Sequence, residues 1–263
     1  MIAGVVQQHE LFMSMLRREV RARYKGSTLG VVWSLVTPLV MMGAYTLVFS
    51  VIFTAAPFDH YPAFLLTGLT VWVFFGAGLQ TGTSSLVASA NLVKKVAFER
   101  SIVPLASTLS HLVTLAAMVA VLVPVNLILE PDTRRTMVLL PALIVCLVVM
   151  TAGLSLALSA LNVYFRDVEH ILGALLLPWF FLTPIFYSLD QLPENVSGNQ
   201  VAIDVLRYGN PITPLVEAID DVAFFGRWPS AGGLVYVAVA TVVFAAVGVF
   251  TFRRLEPEMA VEL

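Results

Sequence analysis

The sequence predicts an all-α integral membrane fold: six transmembrane helices, an N-terminal amphipathic interface helix, and short outer-leaflet re-entrant helices between spans five and six. Three observations predict it. First, 59% of the 263 residues are hydrophobic and 12% are charged, about half the charged share of a soluble domain. The mean hydropathy of +0.88 agrees. Second, Asp, Glu, Lys and Arg are absent from residues 26–58, 60–93, 101–129, 136–165, 170–189 and 228–252. Each stretch supplies the ~20 residues needed to cross ~30 Å of hydrocarbon as a helix. Third, these runs are apolar on all sides. A barrel strand would alternate, and lipid-embedded backbone must satisfy its own polar groups, so helices are expected.

Lys and Arg orient the spans. With the N-terminus inside, inner segments hold Arg17, Arg18, Arg21, Arg23, Lys25, Lys94, Lys95, Arg100, Arg166, Arg253 and Arg254. Outer segments hold Arg134, Arg135, Arg207 and Arg227. The excess of basic residues on one side places both termini in the cytoplasm. Arg134 and Arg135 depart from the rule, and neighbouring Glu130 and Asp132 are expected to offset them. The N-terminus lacks the short apolar core and small-residue cleavage site of a signal peptide.

The elements follow in order. Residues 1–25 read as a cytoplasmic interface helix. Val5, Phe12, Met13, Leu16, Val20 and Tyr24 recur on one side, and Glu10, Arg17, Arg18, Arg21 and Lys25 fill the other. It either anchors the chain to the inner leaflet or also touches a partner or lipid-linked substrate. Residues 26–254 hold the six spans, beginning near Gly30, Pro62, Pro104, Met137, Ile171 and Leu234, and residues 255–263 form a cytoplasmic tail. Pro38 is expected to loosen the first span. The inner segment 91–100 mixes charged residues with Leu92, Val93, Val96 and Phe98, as a docking surface helix would. The outer stretch 188–230 is too long for a turn. Within it Leu215, Val216, Ile219 and Val222 share a face opposite Glu217, Asp220 and Asp221. It reads as one or two short helices dipping into the outer leaflet. Asn195-Val-Ser197 fits a glycosylation pattern and is read as chance.

Missing chemistry narrows the function. The chain has no phosphate-binding P-loop, metal-ligand spacing or nucleophile motif, and its one cysteine, Cys146, sits in an apolar run. No acidic residue lies inside a span, although ion-coupled carriers use such groups. His111, the one ionisable group deep in a span, is read as a hydrogen-bonded packing residue. Energy is therefore expected from outside the spans, through the cytoplasmic docking segment. Nothing points to nucleic acid.

Several segments then carry a resemblance. Arg23-Tyr-Lys-Gly-Ser-Thr-Leu-Gly-Val-Val-Trp-Ser-Leu-Val-Thr-Pro38 resembles the opening of the ABC-2 type permeases of polysaccharide exporters, the Wzm group of O-antigen export with capsule and teichoic acid relatives. Phe64-Leu-Leu-Thr-Gly-Leu69, Asn91-Leu-Val-Lys-Lys95, Asn162-Val-Tyr-Phe-Arg-Asp167 and Asn210-Pro-Ile-Thr-Pro214 match in the same order. The resemblance implies a homodimer in a bacterial cytoplasmic membrane. Two ABC ATPase subunits, carrying ATP and Mg, would bind beneath it. It implies an ATPase-coupling helix at Asn91, Leu92, Val93, Lys94, Lys95, Val96, Phe98, Glu99 and Arg100, and outer re-entrant helices at 188–230. The implied substrate is a glycan on a lipid pyrophosphate, passed between protomers. Candidates for its headgroup or entry are Arg21, Arg23, Tyr24, Lys25, Arg166 and Asp167. Asp167 either pairs with Arg166 or latches a gate. Channel aromatics are sought among Trp33, Tyr45, Trp72, Phe74, Phe75, Phe180, Phe181 and Tyr187, against a packing role for each. Rival functions are a drug or small-lipid ABC-2 exporter and an ATP-independent lipid or ion carrier.

Overall fold

The computed structural model describes residues 2–26, 30–52, 58–95, 98–191 and 200–262. Val96 and the Asn195–Ser197 tripeptide lie outside them. The described chain is helical, with no strand. Its helices are α1 (Ile2–Tyr24), α2 (Trp33–Thr46, continued by a π-helical stretch to Ile52), α3 (Tyr61–Ala88), α4 (Ala90–Lys95), α5 (Ile102–Leu109), α6 (Leu112–Leu129), α7 (Thr133–Thr136), α8 (Leu140–Tyr164), α9 (Asp167–Leu182), α10 (Gln200–Tyr208), α11 (Thr213–Ala223), α12 (Ala231–Leu255) and α13 (Met259–Glu262). Five helical stretches are long and apolar enough to span a bilayer: Trp33–Ser50, Tyr61–Ala88, Ile102–Leu129, Thr133–Tyr164 and Ala231–Leu255.

Helix α3 is the hub, and most of its residues are buried. It packs against α2, α5, α6, α8, α9 and α11. Lipid offers no hydrophobic drive between helices, so close approach through small residues must hold them. Gly78 and Gly82 of α3 face Thr108, Thr151 and Ser155, and a Cβ at Gly78 would lie 3.1 Å from Thr151. Thr108 completes the seam by donating to the Gly78 carbonyl (3.2 Å) and bonding Ser155 (2.7 Å). Gly153 of α8 and Gly248 of α12 make the tightest crossing, backbone on backbone.

Two structural details differ from the sequence expectations. The third span is two helices, broken at Ser110–His111. The expected fifth span, α9, has 16 residues, or about 24 Å of helix, short of the hydrocarbon thickness. After Thr183, whose amide still bonds the Trp179 carbonyl, Pro184–Tyr187 continues it without helical hydrogen bonding, and Ile185 and Phe186 are buried. The Tyr61 hydroxyl donates to the Phe186 carbonyl (2.9 Å). Gly68 gives this segment room, since a Cβ there would meet the Ile185 backbone at 3.0 Å.

A second apolar cluster seals one end of the bundle. Met15 of α1, Val93 of α4, Ile102 of α5, Val163 of α8, Phe252 of α12 and Met259 of α13 meet there. The first and last described helices therefore share one end. The face of α1 that packs on this cluster is Leu11, Phe12, Met15 and Leu16, a stripe shifted from the expected one. The opposite end carries Phe58–His60, residues 130–139, residues 183–191 and residues 200–230.

Candidate functional site

Site residues lie at the two ends. At the terminal end, α4 leaves α3 at Ser89. Three apolar members of the docking segment, Leu92, Val93 and Phe98, do not point outward in the protomer. Val93 is buried, and Leu92 and Phe98 pack on the chain's own cluster. Asn91, Lys94 and Glu99 are exposed. Glu99 accepts from Ser101, and Arg100 donates to the Glu256 carbonyl of the tail. The segment therefore presents a polar outer face on an apolar footing, and charge at Lys94 is free to meet a partner.

Arg23 has partners within the chain. From the last turn of α1 its guanidinium donates to Ser110 Oγ (2.9 Å) and lies 2.8–2.9 Å from both ring nitrogens of His111. A neutral imidazole has one acceptor nitrogen, so one of these is the hydrogen bond and the other a close contact. Thr81 Oγ1 sits 3.0 Å from His111 Nε2. The break in the third span thus receives an arginine, which ties α1 to α3 and α6. Burial pushes Arg23 below its ordinary pKa. His111 is a hydrogen-bonded packing residue, at the break rather than deep in a continuous helix. A cavity of about 300 Å³ adjoins this contact, lined by Arg23, Tyr24, Trp33, Ser34 and Thr37 among others. Arg21, Lys25, Arg166 and Asp167 are exposed. No ion pair joins Asp167 to Arg166 among the described residues. Asp167 and Glu169 instead occupy the first turn of α9, where the helix dipole favours negative charge.

The two Asn motifs have structural explanations. Asn162 donates to the Thr83 carbonyl of α3 (3.2 Å) and accepts from the Glu169 amide of α9 (3.1 Å). Asn210 accepts from Trp179 Nε1 (2.9 Å) and the Ile212 amide (3.2 Å), and donates to Thr183 (2.9 Å). Each amide side chain bridges helices that backbone bonding leaves unpaired.

The expected channel aromatics divide. Trp72, Phe74, Phe75 and Phe180 are buried in the protomer core. Of these, Trp72, Phe75 and Phe180 join Tyr45, Trp179, Phe186 and Tyr187 in a continuous chain of ring contacts with centroids 5.1–6.4 Å apart. Trp33 and Phe181 are about half exposed, at 49% and 50%. Within one protomer the buried four pack and present no free face; Trp33 and Phe181 do.

The end opposite the chain termini holds charges that sequence reasoning left unassigned. Arg207 donates from Nε to both Glu217 oxygens (3.0 Å each). Arg227 donates to Asp221 (2.5 Å) and Asp190 (2.9 Å). Burial pushes Glu217 and Asp221 above their ordinary values by more than their arginine partners pull them down. Asp220 corrects the expected amphipathic face. It is buried at 5% exposure, and its Oδ1 has no protein partner. Burial, then Asp221 and Glu217, hold its pKa well above the usual carboxylate range. A second correction is Glu130, which lies 3.0 Å from His60 Nδ1 rather than bonding the Arg134–Arg135 pair.

Comparison with known proteins follows from this architecture. The family described as ABC-2 type transporter matches residues 10–224. The chain is 28% identical over 258 residues to the O-antigen export system permease protein RfbA of Myxococcus xanthus, covering 97% of each chain. It is 30% identical over 192 residues to an RfbA of Klebsiella pneumoniae, covering 72% of this chain and 73% of the relative. It is 22% identical over 269 residues to the polysialic acid transport protein KpsM of Escherichia coli, covering 98% of each. With the family matched over most of its length, the chain belongs to the ABC-2 type transporters.

Proposed function

We propose that this chain is the membrane-spanning permease subunit of an ATP-driven exporter of a lipid-linked cell-envelope polysaccharide. The observation that carries this reading is end-to-end similarity to permeases named for O-antigen export, over 97% of both chains. The chemistry supports it. The spans hold no acidic group for ion coupling, so the work of transport comes from a partner. That partner is an ABC ATPase, two copies of which hold ATP and Mg beneath a permease homodimer. The exposed Asn91 and Lys94 on α4, with Glu99 beyond its end, form the coupling contact.

Six crossings fit best. Helices α1 and α13 share one end of the bundle, which an odd number of full crossings forbids. The sixth is α9 with its non-helical continuation, tolerated at membrane depth because protein buries it. The positive-inside rule then puts both termini in the cytoplasm of a bacterial inner membrane, with α10 and α11 as the outer re-entrant helices. Arg21 and Lys25, exposed beside α1, are the better headgroup candidates, because Arg23 is engaged with Ser110 and His111.

The test is to purify the tagged chain from mild detergent and identify what accompanies it. A stoichiometric P-loop ATPase, with ATP-dependent glycan export in membrane vesicles, is expected. Recovery of the chain alone from a membrane where it is abundant would undercut this reading and revive the ATP-independent carrier.

A further inference from the structure

A polar cleft of about 320 Å³ opens at the outer end, between α10, α11 and the start of α12. That size falls at the low end of small-molecule pockets, roughly 300–1,000 Å³, room for a short piece of a chain. Its floor is the network of Arg207 with Glu217 and of Arg227 with Asp221 and Asp190. Each fixed charge already has a counter-charge. A free anion would have to displace a carboxylate, and a free cation an arginine. Yet Glu217 Oε2 and the Asp221 and Asp190 oxygens keep spare lone pairs, and each guanidinium has N–H groups beyond those it uses. The floor therefore offers acceptors and donors side by side with little net charge. Hydroxyl groups, which donate and accept at once, suit such a surface.

Two aromatic side chains line the cleft above this floor. Trp228 is 60% exposed and Tyr208 is 46% exposed. Neither position is loose. Tyr208 packs its ring on Tyr236 at 5.4 Å, and its carbonyl accepts from the Tyr236 hydroxyl (2.8 Å). Trp228 is followed by Pro229 and by Ser230, which caps α12 by accepting from the Gly233 amide (3.0 Å). An aromatic face pairs with the C–H face of a pyranose ring, while the ring's hydroxyls reach the polar floor. Tryptophan and tyrosine also serve as interface anchors, but anchoring does not explain a neutralised donor–acceptor floor beneath them.

The geometry points to a saccharide-binding subsite on the outer face, formed by Trp228, Tyr208 and the Arg207–Glu217 and Arg227–Asp221 pairs, that takes a short neutral segment of the exported glycan. The inference rests on the polysaccharide reading. It adds a place where the emerging polymer is held after it has crossed, and weak holding there opposes back-slippage between strokes.

The permease–ATPase complex in lipid nanodiscs is titrated with galactose, mannose, rhamnose, N-acetylglucosamine and chitobiose, followed by saturation-transfer NMR on the sugar protons. Phosphoethanolamine serves as the headgroup probe. At least one sugar is expected to saturate. Trp228→Ala and Tyr208→Ala should each weaken it about tenfold or more, as truncated aromatic anchors do. Trp228→Phe, which keeps a ring, should retain most binding and guards against misfolding. Phe250→Ala, at an exposed position on α12, should change nothing. Absence of a saturable sugar signal, a signal unchanged in both alanine variants, or saturation by phosphoethanolamine alone would each overturn the inference. Glycan export by the same complex in vesicles is measured alongside. Export with a silent cleft removes this subsite and leaves the exporter reading standing. A cleft that binds sugar in a Trp228-dependent way, without ATP-driven export, removes the exporter reading and keeps the subsite.

Discussion

Replacing Gly153 by alanine tests whether backbone contact between α8 and α12 holds the bundle together. A Cβ at Gly153 would lie 2.5 Å from the Phe244 oxygen, 2.7 Å from its carbonyl carbon and 2.8 Å from Ala245 Cα, where ordinary contact begins at 3.4 Å. All three atoms are backbone, so no rotamer change relieves the clash. The helices must part by about 0.9 Å at the crossing, and a gap of ~0.5–1 Å forfeits a quarter to a half of each dispersion well along the seam. Lipid supplies no compensating hydrophobic term. Overpacking of this kind costs about 3 kcal/mol. For a chain of this size that is a fall of roughly 6–12 °C in melting temperature. The assay is thermal unfolding of the detergent-purified chain, read by loss of the monodisperse peak. Gly43→Ala and Gly232→Ala are the controls, because a Cβ at either meets nothing within 4 Å. They should hold or raise the midpoint, since alanine favours helix by about 1 kcal/mol over glycine. A Gly153→Ala midpoint equal to that of Gly43→Ala would refute the crossing as the seam.

Three further outcomes are expected. Asn162→Ala leaves the Thr83 carbonyl and the Glu169 amide without their bridge. At about 1–3 kcal/mol for each orphaned group, the melting midpoint should drop clearly, with Asn162→Asp intermediate because it keeps the acceptor for α9. Asp220 sets a pH dependence. Its native pKa is raised while its unfolded value is ~3.9, so between the two the native state binds more protons. Stability therefore falls as pH rises above ~4 and levels once the native pKa is passed. Asp220→Asn should flatten that fall, leaving the part due to Glu217 and Asp221, which burial also raises; parallel curves would show that Asp220 does not contribute. Lys94→Glu reverses an exposed charge on α4 and should cut co-purification of the ATPase without changing membrane insertion, whereas unchanged complex yield would move the coupling contact elsewhere.

Much of the fold was legible because lipid imposes a simple rule on sequence. Charge-free runs mark where polar groups cannot go, and five of the six correspond to helices long enough to span. The sixth was legible as an apolar run, but not as a 16-residue helix with a non-helical tail. That shape depends on Gly68 making room and on Tyr61 satisfying a carbonyl, neither of which leaves a local signature. The third span's break at Ser110–His111 was equally silent, because its stabilising partner, Arg23, comes from 87 residues earlier in the chain. The aromatic residues could be counted in the sequence, but not sorted into buried and exposed.

By itself, then, the sequence determined what the bilayer enforces: helical spans, their approximate ends, and the side that carries the basic residues. Motif order added the resemblance, and matching over residues 10–224 made it a family. Only tertiary structure decided where the polar residues find partners. Arg23 goes to a helix break, Asn162 and Asn210 to bridges between helices, Asp220 to the buried side of α11, and Arg207 and Arg227 to a paired floor beneath Trp228. The physical reason is that hydrophobic periodicity is a one-dimensional signal, whereas a hydrogen bond or ion pair is fixed by which distant segments the packing brings within about 3 Å.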